Sequence, residues 1–160
     1  MADAPRNLTW IECRFDELSP RQVHGLFKLR QQIFIIEQDC IYTDIDGLDP
    51  VCQHILACDD DDVLAAVRIV APGIDPKNLE QGDRPAIGRV VTSEKLRGLG
   101  IGRKLMIRAI ESCGHQFAGK PIYLNAQLYR RSFYESLGFV QFGDEYEEDG
   151  IPHISMERPA

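Results

Sequence analysis

The sequence has no run of apolar residues long enough to span a bilayer. It has no Cys-x-x-Cys pair, and its cysteines, Cys13, Cys40, Cys52, Cys58 and Cys113, are odd in number. Cys52 with His54, and Cys113 with His115, lie too close together for a zinc knuckle, so all five read as reduced thiols. Met1 to Trp10 carries Asp3, Pro5 and Arg6 and lacks an apolar signal core, so the expected location is cytoplasmic. Without such a signal, the sequon Asn7-Leu8-Thr9 carries no weight. Positive charge is scarce: 18 Lys and Arg against 25 Asp and Glu leave a formal net charge of −7. That field opposes nucleic acid and suits a cationic or amine partner. There is no internal repeat and no long linker, and 160 residues fit one domain, 1–160, with one sizeable core.

What is present reads as alternating elements. Trp10 to Phe15 is a first strand. Ser19-Pro20-Arg21-Gln22 is a helix start: serine caps, proline takes the first turn, and Gln22 is the capping-box partner. Val23, Leu26, Phe27, Ile33 and Phe34 keep helical spacing, so this helix runs into the thirties. Arg30 shares their face and reads as a snorkelling arginine or a buried ion pair. Val51 to Cys58 and Val63 to Val70 are strands joined by the acidic turn Asp59-Asp60-Asp61-Asp62. After a loop from Pro72 to Pro85, Ala86 to Thr92 is a strand. A helix follows, with a stripe of Ile101, Leu105, Met106, Ala109, Ile110 and Cys113 and a stop at Gly114. Pro121 to Ala126 is a strand, and Leu128 to Leu137 a helix closed by Gly138. Val140 to Glu147 and Ile151 to Glu157 form a last hairpin around Asp149-Gly150. The order predicts a mixed α/β fold, a central sheet flanked by helices.

Chemistry concentrates in Arg97-Gly98-Leu99-Gly100-Ile101-Gly102-Arg103-Lys104, between a strand and an amphipathic helix. Glycines let backbone approach a ligand, and free N–H groups at a helix start favour an anion. Arg97, Arg103 and Lys104 add positive charge in an acidic chain. A Walker A loop fails because Leu105 stands where Ser or Thr is needed, and a dinucleotide fingerprint fails because position 103 is Arg103. A phosphate or pyrophosphate site remains, beside the plainer reading of a glycine-rich turn with no ligand. Asp44, Asp46 and Asp49 do not frame a calcium loop, since with Gly47 sixth the end ligands are Tyr42 and Gln53, so no metal is expected. With Glu147 and Glu148 these acids read either as a negative rim for a cationic amine or as solvated surface.

Arg97-x-x-Gly100-x-Gly102 resembles the Arg/Gln-x-x-Gly-x-Gly/Ala signature of the GCN5-related N-acetyltransferase (GNAT) family. Ile87 to Thr92 looks like that family's fourth strand, and Phe133-Tyr134-x-x-x-Gly138-Phe139 like its downstream element. A resemblance to the ElaA-type subgroup covers nearly the whole chain. It runs through Arg30-x-x-Ile33-Phe34-x-x-Glu37-Gln38, Tyr42-x-Asp44-x-Asp46-Gly47, His54-Ile55-Leu56 and Glu145 to His153.

The resemblance implies a mostly antiparallel twisted sheet and an N-acetyltransferase that uses acetyl-CoA on a primary amine, small molecule or peptide, in a ternary complex. It implies that Val90 and Val91 hold the pantetheine arm and that Leu99, Gly100, Ile101, Gly102, Arg103 and Lys104, with Arg97, hold the pyrophosphate. Tyr134 matches the family tyrosine that protonates the departing thiolate, against a plain reading as a core tyrosine. Gln127 stands where many members have asparagine. Candidates for the base are Glu37, Asp44, Asp46, His54, Glu148 and His153. His153 is preferred, and His54 reads as a packed, hydrogen-bonded histidine. No membrane partner is expected, and a homodimer is the one assembly considered. The competing functions are a non-catalytic acyl-CoA-binding module and an acyltransferase using another acyl donor.

Overall fold

The computed structural model describes residues 7–160. Its strands are β1 (Thr9–Arg14), β2 (Gln53–Asp59), β3 (Asp62–Val70), β4 (Ala86–Thr92), β5 (Ile122–Gln127), β6 (Val140–Glu148) and β7 (Ile151–Arg158). They form one sheet in the order β1-β2-β3-β4-β5-β7-β6. Every neighbouring pair is antiparallel except β4 and β5. The acidic turn between β2 and β3 forms as read, with Asp60 at φ 50°, a conformation Asp tolerates better than most residues. Asp149 and Gly150, at φ 51° and 77°, close the β6–β7 hairpin. Two consecutive left-handed residues match the twist of the flanking strands.

Helix α1 (Pro20–Arg30) starts on the expected capping box: Gln22 N–H donates to Ser19 Oγ (3.2 Å) and Ser19 N–H to Gln22 Oε1 (2.8 Å). It continues through Gln31–Glu37 in π geometry, ending with Gln38 N–H donating to the Ile33 carbonyl (3.1 Å). Helix α2 (Ile101–Gln116) runs past Gly114, contrary to the expected stop. Phe117 at its end packs on the core, and that contact outweighs glycine's weak helix propensity. Gly119, at φ 77°, takes the turn instead. The third helix opens as a 3-10 turn, Leu128–Arg130, before α3 (Arg131–Glu135), and Gly138 at φ 88° closes it as expected.

The two main helices cover opposite faces. α2 buries Leu105, Met106 and Ala109 against Ile55, Ile69, Ile87, Leu124 and Met156. α1 buries Leu26 and Leu29 against Leu56, Val63, Ala66 and Val91. Each fully buried leucine contributes about 2 kcal/mol. α1 lies so near β3 that a Cβ on Gly25 would come within 2.9 Å of Val63 Cγ2. All five cysteines are free thiols, as read. Among the described residues no helix is long and apolar enough to cross a membrane.

The sheet is not continuous in its bonding. β4 and β5 share a single bridge, Ala86 with Tyr123, and diverge beyond it. The β5-facing edge of β4 from Ile87 to Thr92 therefore lacks a strand partner, and a cleft opens between two parallel strands in the middle of the sheet.

Candidate active site

Three segments converge on this cleft. On the α2 face, the loop entering α2 carries Gly98 at φ 76° and Gly100 at φ 72°. Nothing lies within 4 Å of where a Cβ on either would stand, so the left-handed backbone, not crowding, demands glycine there. Intrahelical bonding begins with Lys104 N–H donating to the Gly100 carbonyl (3.2 Å). The N–H groups of Ile101, Gly102 and Arg103 thus point out along the helix axis, where the dipole favours an anion. Arg97 is held by Glu37 of the π segment. Arg103 donates to Ser136 Oγ (2.8 Å) at the end of α3. Lys104 is exposed and has no ion-pair partner among the described residues. A diphosphate fits this loop: open glycine backbone, free N–H donors and three cationic side chains.

Val90 and Tyr134 pack against one core cluster with Ile101 and Leu105, so β4, the loop and α3 meet on the α2 face. The Tyr134 ring sits edge-on between Phe133 (centroids 5.1 Å) and Phe139 (6.1 Å). Its ring is a core ring, as the plain reading held. Its hydroxyl makes no hydrogen bond to any described residue, and burial pushes it up to about 12, against a smaller downward pull from Arg130. It is a neutral phenol throughout the physiological range and so a proton donor.

On the opposite face, β5 presents Tyr123, Asn125 and Gln127, and β7 presents His153, Ser155 and Glu157 in register with them. Gln127 donates to Gln38 Oε1 (3.0 Å), which ties β5 to the end of the π segment. His153 Nδ1 lies 2.7 Å from the Ile151 carbonyl. Nδ1 therefore carries the hydrogen, and Nε2 keeps a lone pair free to take a proton. Glu148 stands 3.8 Å from Nε2, placed to stabilise that proton once taken, and the Tyr146 ring stacks on the imidazole at 5.9 Å. Proton donor and proton acceptor thus lie on opposite faces of the sheet, with the β4–β5 opening between them.

The acetyltransferase (GNAT) domain model matches residues 32–159 of this sequence. The chain belongs to the GNAT family. Protein ElaA of Escherichia coli is 41% identical over 153 residues, covering 94% of this chain and 96% of that one. The crystal structure of Escherichia coli ElaA has a TM-score of 0.85 at 40% identity, over 95% of this chain and 99% of that one. An acyl-CoA N-acyltransferase from Pseudomonas aeruginosa gives 0.84 at 37%, over 95% and 99%. The ElaA-type resemblance and the expected GNAT fold both stand, and membership makes the chain an acyl-CoA-dependent acyltransferase by family.

Within this GNAT chain the other candidate bases, apart from Glu148 beside His153, are engaged elsewhere. Glu37 is committed to Arg97. His54 is fully buried, with Nε2 donating to the Asp49 carbonyl (3.0 Å), the packed histidine that was expected. Asp44, Asp46 and Asp49 form neither a rim nor solvated surface, which corrects both sequence readings. Asp44 and Asp49 are buried, and all three acids pair with arginines: Arg30 with Asp44 (2.8 Å) and Asp49 (2.7 Å), Arg68 with Asp46 (2.6 Å), and Arg89 with Asp44 (2.8 Å). Asp and Arg alternating over long sequence separations leave no local signal, so only Arg30, on an apolar helix face, was legible. Burial pushes Asp46 up, but hydrogen bonds from Arg68 and the Leu48 N–H, with the charges of Arg68 and Arg89, outweigh it and hold the carboxyl near 2. The network also grips Arg89, a non-glycine residue at φ 52° immediately before Val90 and Val91. Among the described residues no group of three or more His, Cys, Asp or Glu side chains could hold a metal ion. Sequence reasoning met Gln38 and Tyr146 only within the resemblance, with no role, and passed over Asn125; all three gain meaning from strand register.

Proposed function

We propose that the chain is an N-acetyltransferase, one domain spanning 1–160 and working in the cytoplasm, that moves an acetyl group from acetyl-CoA to a primary amine by direct attack in a ternary complex. The observation that carries the reading is the cleft between β4 and β5, which joins an anion-binding helix start on one face to a tautomer-fixed histidine on the other.

Within the Leu99 to Lys104 loop the free N–H groups of Ile101, Gly102 and Arg103 hold the pyrophosphate, and Arg97, Arg103 and Lys104 neutralise it. The unpartnered edge of β4 at Val90 and Val91 takes the pantetheine arm as an added strand. Gln127, at the cleft end of β5, orients the arm or the amine through its amide. The donor supplies an acyl group activated as a thioester. The acceptor nitrogen bonds to the acyl carbon, the carbon–sulfur bond breaks, and the nitrogen's surplus proton passes to His153 Nε2, directly or through water. Tyr134 gives its hydroxyl proton to the departing sulfur and is restored from solvent, so one amine and one thioester become one amide and one thiol.

Tyr134 is matched to this task by burial. Burial raises its hydroxyl to about 12, so the phenol keeps its proton until a basic thiolate forms beside it.

The test is a panel of primary amines with acetyl-CoA, read by release of free thiol and by mass spectrometry of the amine. An acetylated amine formed one-for-one with thiol is expected. Tight binding of acetyl-CoA with no transfer to any amine would leave a binding module in its place.

A further inference from the structure

Asn125 lies mid-way along β5, near the centre of a seven-stranded sheet, yet it is exposed on the His153 face, between the covered Tyr123 and Gln127. Glu80 enters this open floor from the loop between β3 and β4. Its Oε2 accepts hydrogen bonds from Tyr123 Oη and Ser155 Oγ, both at 2.7 Å. Asn125 Oδ1 lies 2.7 Å from the same Tyr123 oxygen. Tyr123 and Ser155 are buried, so two fixed hydroxyls aim this otherwise exposed carboxylate. Those hydrogen bonds, Tyr123's first, with a smaller pull from the Arg84 charge and against burial, hold the Glu80 carboxyl below the usual carboxylate range. Arg84 makes no ion pair with it: the guanidinium stacks over Tyr123 and Phe142, pairs with Glu157, and bonds only to the Glu80 backbone carbonyl. Among the described residues Glu80 has no ion-pair partner.

From this arrangement we infer a cation subsite at Glu80, one strand step from His153, which makes the preferred acceptor an α,ω-diamine. The inference rests on the acyl-transfer reading of the same cleft. Ser155, which holds Glu80, is two residues along β7 from His153, a separation of about 7 Å. With bonds of about 1.5 Å in a zigzag, four or five methylenes place two amines about that far apart. The reacting amine then lies beside His153 while the distal ammonium meets Glu80. Tyr146 stacks on His153, and its ring borders the path between the two positions, where a cation on an aromatic face gains further attraction. Glu148, on the other side of His153, adds a second carboxylate with no Lys or Arg partner among the described residues. A monoamine of equal length meets the same aromatic wall and leaves Glu80 unanswered.

The experiment compares 1,4-diaminobutane and 1,5-diaminopentane with butylamine and pentylamine, using acetyl-CoA and the full chain. The diamines are expected to have about two- to fivefold higher kcat/KM, the scale of one partly exposed charge pair. Glu80→Gln is expected to bring the diamines down to the monoamines, through KM, while binding acetyl-CoA like the wild type. Calorimetry of the same amines with CoA-loaded protein reads the subsite without chemistry. Equal kinetics and equal binding for diamines and monoamines overturn the subsite, as does a diamine preference that survives Glu80→Gln. Glu80-dependent diamine binding with no thiol release from any amine keeps the subsite and overturns acyl transfer instead.

Discussion

Replacing Tyr134 with phenylalanine removes one oxygen and leaves the ring between Phe133 and Phe139. The hydroxyl bonds to no described residue, so folding should change by less than about 1 kcal/mol. Catalysis should change far more. A phenol held protonated near 12 shares its proton with the departing thiolate in the transition state, and such assistance is worth about 100- to 10,000-fold. That is about 3 to 5 kcal/mol of barrier. The loss should fall on kcat, with KM for acetyl-CoA within about twofold, because the hydroxyl meets the sulfur only as it departs. Thiol release under saturating amine, with a thermal melt of the same preparation, measures both. A donor thioester with a strongly acidic thiol needs no proton on leaving and should restore most of the lost rate. Turnover unchanged in Tyr134→Phe, or an equal loss with the acidic-thiol donor, would refute the proton-donor role.

Further outcomes follow from other residues. Gly100→Ala must hold an alanine at φ 72°, at about 1 to 2 kcal/mol, so acetyl-CoA affinity measured by calorimetry should fall about five- to thirtyfold. Arg30→Ala leaves Asp44 and Asp49 with one arginine fewer in a buried setting and should cost about 3 kcal/mol, lowering Tm by about 10 °C in a melt. Burial holds His54 below its ordinary value of 6.5, so the folded state binds its proton less readily than the unfolded chain. That contribution is complete above pH 6.5 and is lost as pH falls below it, by up to about 1.4 kcal/mol per unit. Denaturant titrations from pH 7 to 5 should show a flatter dependence in His54→Leu. Asp46 acts in a separate window, its stabilisation fading as pH drops from about 4 toward 2.

Most of the fold was legible because its signals are local. The Ser19–Gln22 box, the acidic turn at Asp60 and the Asp149-Gly150 hairpin each depend on a few adjacent side chains, and each forms where the sequence puts it. Gly114 misled because a helix end was decided by Phe117 meeting the core, a contact outside any sequence window. The glycine-rich loop was legible for a similar reason: left-handed backbone and free N–H groups are properties of the segment itself. The acceptor side was not. Gln38 meets Gln127 across 89 residues and Ser155 meets Glu80 across 75. Pairings of that range exist only once strand register is set. The acids at 44, 46 and 49 show the same limit. Their composition suggested a rim, and arginines from α1, β3 and β4 took all three.

The central claim is that this GNAT chain transfers an acetyl group across the β4–β5 cleft to an amine. The most direct measurement is mass spectrometry of acetyl-CoA mixed with 1,4-diaminobutane and stoichiometric protein. A mono-acetylated diamine is expected to appear in step with free CoA, slowed at least about 100-fold by Tyr134→Phe. Protein loaded with acetyl-CoA that binds the diamine but yields no acetylated product would contradict it.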